Sequence, residues 1–165
     1  MDERNVNSEG MIVVEHQVMS LDDAAALRLL TTMAKAHEHA QSFYTVPEPD
    51  STLGEALAAV LSNPADASYD PSDADAARAA LILLSQDDRF GEPIAQLLTN
   101  PRPQRMAVDP VTGTLLTAGL LLALQTHVLI ERDKEGRWRV KIEKKPTKDS
   151  LVAPIVRKLL SRWSG

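Results

Sequence analysis

The chain has 165 residues, 44% apolar and 25% charged, enough for the core of one ordinary domain, so wholesale disorder is excluded. It contains no cysteine, which excludes a disulfide framework, a cysteine nucleophile and thiolate metal sites, and fits a reducing compartment. The net charge of -5 hides a split, because residues 1–130 hold 7 Lys and Arg against 18 Asp and Glu, whereas residues 131–165 hold 11 against 5.

Residues 1–10 are polar and aperiodic, so a flexible N-terminus without a secretory leader is expected, and with it a cytoplasmic location. Met11-Ile12-Val13-Val14 is a short β-branched run and a candidate strand. Ser20 is placed to cap a helix over about 21–41. Its apolar stripe is Ala26, Leu29, Leu30, Met33, His37 and Ala40. Pro47 and Pro49 interrupt the chain, and Thr52 with Glu55 forms a capping box for a short helix through Leu53, Leu57, Val60 and Leu61. Ser72 with Asp75 opens a helix over about 73–86 whose Leu81-Ile82-Leu83-Leu84 run predicts burial on most sides. A short helix over 91–99 carries Pro93 in its first turn. Residues 101–108 read as a stiff linker between an acidic helical part, 11–100, and a C-terminal part, 109–165, of one domain.

Asp109-Pro110 caps a helix that runs to about Gln125. A hairpin follows. Val128, Ile130 and Arg132 alternate with Leu129, Glu131 and Asp133, and Trp138, Val140 and Ile142 alternate with Arg137, Arg139 and Lys141. The two apolar sets share a face only if Ile130 pairs with Val140 and Val128 with Ile142. That register leaves Lys134-Glu135-Gly136 as the loop, with Gly136 in the left-handed position of a bulge, and sets Glu131 opposite Arg139. A last amphipathic helix over about 149–163 turns Leu151, Val152, Ile155, Val156, Leu159, Leu160 and Trp163 to one side, away from Arg157, Lys158 and Arg162. The fold class expected is α+β, predominantly α: a helical N-terminal part, then helix–β-hairpin–helix, with residues 11–14 as a candidate third strand. Its core should include Leu29, Leu30, Leu81, Leu84, Leu116, Leu120, Leu124, Val128, Ile130, Val140, Ile142, Ile155 and Leu159.

Catalytic chemistry leaves little trace. His37-Glu38-His39 looks like a metal fragment, yet positions i and i+2 of a helix point about 200° apart, so one helix cannot offer both rings to one ion. The acidic pairs Asp22-Asp23 and Asp73/Asp75 sit at helix N-termini, where the dipole accounts for them. No nucleophile elbow, P-loop, dinucleotide fingerprint or zincin spacing is present. The reading is therefore no catalytic residues, no cofactor and no metal.

Val111 to Ile130 holds no Asp, Glu, Lys or Arg and is long enough to span a bilayer, but residues 127–133 fit a hairpin strand better than a helix end. The helix before the hairpin has no Arg, Lys or Asn to read a base edge, so nucleic acid is disfavoured as a partner. What remains is the basic surface of Arg137, Arg139, Lys141, Lys144 and Lys145. The leading expectation is a small non-catalytic interaction or accessory protein that meets a protein partner, or a second copy, through this surface. Two alternatives stand beside it: membrane association through residues 111–130 or the terminal amphipathic helix, and an enzyme with a composite site near His37 or His127. The competing account of the charge split is that the acidic and basic parts satisfy each other internally.

Overall fold

A computed structural model of the chain describes residues 3–40, 51–59, 71–99, 112–142 and 151–163. Among them, seven helices and one two-stranded antiparallel sheet follow in the order α1 (Glu3–Met19), α2 (Asp23–Ala40), α3 (Ser51–Ala58), α4 (Asp73–Ser85), α5 (Gly91–Thr99), α6 (Thr112–Gln125), β1 (Val128–Arg132), β2 (Trp138–Ile142) and α7 (Val152–Trp163). The fold is α+β and predominantly α, as the pattern implied.

Helix α4 is the centre of the packing and touches α1, α2, α5, α6 and α7. Its composition explains this. Ala76, Ala77 and Ala80 let neighbouring helices come close, and Leu81, Ile82, Leu83 and Leu84 are all buried, so the C-terminal half of the helix leaves no face for water. Ser72 caps it as expected: its hydroxyl oxygen accepts from the Asp75 N–H at 3.1 Å. Helix α6 lies against α2 and α4, and Leu116, Leu120, Leu121, Leu122, Ala123 and Leu124 are buried. The uncharged stretch therefore splits into a 14-residue helix and a strand. At about 1.5 Å per residue this helix reaches only about 21 Å, and among the described residues no helix is long and apolar enough to cross a membrane.

Two expectations near the N-terminus are corrected. Residues 11–14 are not a third strand but part of α1, and residues 3–10, expected to be loose, are helical as well. Val14 and Val18, one turn apart, pack inward on the core, and α1 touches α4 and α5. This docking outweighs the strand preference of β-branched residues. Ser20 does not cap α2 either. Its hydroxyl donates to the Gln17 carbonyl at 2.8 Å and so finishes α1, while the Asp22 carboxylate accepts from the Ala25 N–H at 2.7 Å and starts α2. Thr52 lies inside α3 rather than before it.

Of the expected core, Leu30, Leu81, Leu84, Leu116, Leu120, Leu124, Ile155 and Leu159 are buried, and Leu29 and Val140 are partly buried against the same cluster. The side chains of Val128, Ile130 and Ile142 lie outside the described set, as do residues 101–108. The inward side of α7 is formed by Val152, Ile155, Val156 and Leu159, with Leu151 buried just before it and Leu160 partly buried; the side chain of Trp163 lies outside the described set.

Two cations tie α4 to distant elements, one to the start of α2 and the other to α7. Arg78 is only 14% exposed and donates through Nη2 to the Leu21 carbonyl at 2.8 Å and to Asp23 at 2.7 Å, and through Nη1 to Asp75 at 3.1 Å. Lys158, expected on the solvated side of the last helix, is instead 13% exposed and joins α7 to the Pro71 carbonyl at 3.0 Å and to Asp73 at 2.7 Å.

Candidate interaction surface

The hairpin register is the expected one: Val128 pairs with Ile142, Ile130 with Val140 and Glu131 with Arg139. The turn also follows its chemistry. The Gly136 N–H donates to the Asp133 carbonyl at 3.0 Å, the Asp133 N–H donates to the Arg137 carbonyl at 2.8 Å, and Gly136 has φ of 81°. This is a three-residue loop closed by a glycine bulge.

Asp133 carries more of this turn than its charge alone suggested. Its Oδ1 accepts from the backbone N–H groups of Glu135 at 3.0 Å and Arg137 at 2.8 Å. Its Oδ2 accepts from Arg137 Nε at 3.2 Å and lies 4.0 Å from Arg139 Nε. The Arg137 backbone N–H first, then the Arg137 charge, the Glu135 N–H and the Arg137 side-chain bond, hold this carboxyl below the usual carboxylate range against a smaller upward push from desolvation. An Asp followed by Gly three residues on was the available signal; its reach to two arginines was not.

Period-two alternation then decides which residues face water. Trp138 and Val140 are partly buried against the core, and Arg132 stacks over the Trp138 ring with its guanidinium 5.6 Å from the centroid. Arg137, Arg139 and Lys141 consequently point outward, the first two with side chains 68% and 75% exposed. The internal account of the charge split is met in part. Lys158 of the basic part pairs with Asp73 of the acidic part, whereas on the hairpin Arg137 is held by Asp133 and lies 3.6 Å from Glu135, both acids of the basic part itself, and Lys141 pairs in register with Leu129. Lys144 and Lys145, named with this surface, lie outside the described residues.

The histidines weighed for a composite site fall in two places. His37, near the end of α2, meets Phe90 across the chain, ring centroids 5.9 Å apart and tilted by 56°. Arg89 covers the same ring at 5.3 Å and is itself held by the buried Asp87 carboxylate at 3.0 and 3.2 Å. Desolvation, and then the Arg89 charge, lower the His37 pKa below 6.5. His127 is buried between α6 and β1. The Thr126 hydroxyl donates its one hydrogen to the Ala123 carbonyl at 2.6 Å, so its contact with His127 Nδ1 at 2.7 Å requires the proton on that nitrogen. The two histidines thus serve different contacts, and among the described residues no three His, Asp or Glu side chains are grouped to hold a metal ion.

Comparison with protein-family models, curated proteins and solved structures found no match.

Proposed function

We propose that this chain is a small non-catalytic interaction protein that meets an acidic protein surface through the outer face of its β-hairpin. One observation carries the reading. Arg139 and Lys141 on β2, with Arg137 just before it, form an outward row, and the alternate residues Trp138 and Val140 are seated on the core. The backbone that carries the row is held in place before any partner arrives, so little loop ordering is needed to use it. Acids interleave with it: residues 131–141 hold five Lys and Arg and three Asp and Glu. A mixed surface of this kind suits another protein better than a continuous phosphate backbone, whose affinity grows with each unopposed cation. The membrane alternative draws less support, because the apolar side of α7 is spent on the core.

The test combines Arg139→Glu with Lys141→Glu. Affinity capture from cell extract and titration with a poly-glutamate peptide are compared with the unaltered protein at about 0.1 M and about 0.5 M salt. Both binding signals should fall in the variant and at high salt, with the melting temperature nearly unchanged, since exposed charge changes seldom exceed about 0.5 kcal/mol. Equal capture by both proteins, together with a lower melting temperature in the variant, overturns the reading and leaves the row as an internal charge balance.

A further inference from the structure

We draw no further inference here: the strongest candidate, the exposed apolar stripe of Ile12, Val13 and Met19 on α1, carries nothing because nothing in the structure shows what covers it.

Discussion

Gly119→Ala tests the close approach of α6 to α2. A β-carbon at this position would lie 2.7 Å from Leu30 Cγ, 3.0 Å from Cδ1 and 3.2 Å from Cδ2. Carbon atoms prefer about 3.5–4.0 Å. Leu30 is fully buried and cannot swing aside without displacing its neighbours. Two effects oppose each other. Alanine gains about 1 kcal/mol over glycine in a helix interior, while overpacking a tight core costs about 1–3 kcal/mol. The net expectation is a loss of up to about 2 kcal/mol, which lowers the melting temperature of a chain this size by about 2–4 °C per kcal/mol. Urea unfolding followed by far-UV circular dichroism measures it. A double-mutant cycle identifies the cause. Leu30→Ala alone should cost about 2–5 kcal/mol. In that background the collision is gone, so Gly119→Ala should stabilise by about 1 kcal/mol, its helix-propensity gain. If the two changes add within about 0.5 kcal/mol, residues 30 and 119 are not in contact and the α2–α6 packing is wrong.

Three further outcomes follow from named contacts. Gly136→Ala places a β-carbon at φ of 81° and should cost about 1–2 kcal/mol, whereas Gly136→Asn, a residue that tolerates the left-handed region, should cost less; equal losses in urea midpoints would refute the bulge. Arg78→Met keeps the apolar stem but leaves the Leu21 carbonyl without the two guanidinium hydrogen bonds it accepts in the intact protein. It should cost about 1–3 kcal/mol, chiefly through that carbonyl, because Asp23 is 77% exposed and its ion pair is screened. Because the folded state lowers the His37 pKa, the unfolded chain takes up the proton first; the contribution of neutral His37 is present above about pH 6.5 and is lost as pH falls below it. Stability measured from about pH 7.5 to about pH 5.5 should therefore decline more steeply for the intact protein than for His37→Gln, and parallel curves would sink the assignment.

The hairpin was legible in the sequence because its determinants are local. Alternation fixes the face, the shared apolar face fixes the register, and Gly136 fixes the turn. Burial of the later turns of α4 and α6 was legible too, since the runs 81–84 and 120–124 are apolar without interruption. What escaped was decided by distant partners. Ile12-Val13-Val14 prefers strand locally, and only docking of Val14 and Val18 on the core makes it helical. Ser20 and Asp22 are both good capping residues, and the choice between them follows from where α1 stops. Arg78 meets Leu21 across 57 residues, and Lys158 meets Pro71 across 87, with no periodicity to announce either contact. The same holds for His37 on Phe90: the apolar stripe placed the histidine on an inward face, but not beside an arginine.

The size of the hairpin limits the binding it can support alone. Two five-residue strands present a face of about 17 Å by about 10 Å, well short of the roughly 800 Å² per partner of a standard stable interface. Its field is also small, because Asp133 engages Arg137 and approaches Arg139, leaving Lys141 and the turn residue Lys134 as the excess cations. In the proposed complex such a surface would form a charged rim, and rim charges chiefly set association rates and their salt dependence, while dissociation is governed by contacts that exclude water. For any partner recovered with the intact protein, Arg139→Glu with Lys141→Glu should therefore slow association several-fold at about 0.1 M salt, lose most of that effect at about 0.5 M salt, and leave dissociation within about two-fold. Asp133→Asn should move association the opposite way by releasing both arginines, at some cost to the turn whose amides it accepts. Surface plasmon resonance with the partner immobilised separates the two rate constants. A double reversal that speeds dissociation while sparing association would mean that these side chains are buried in the complex, and the hairpin would then be the centre of the interface rather than its edge.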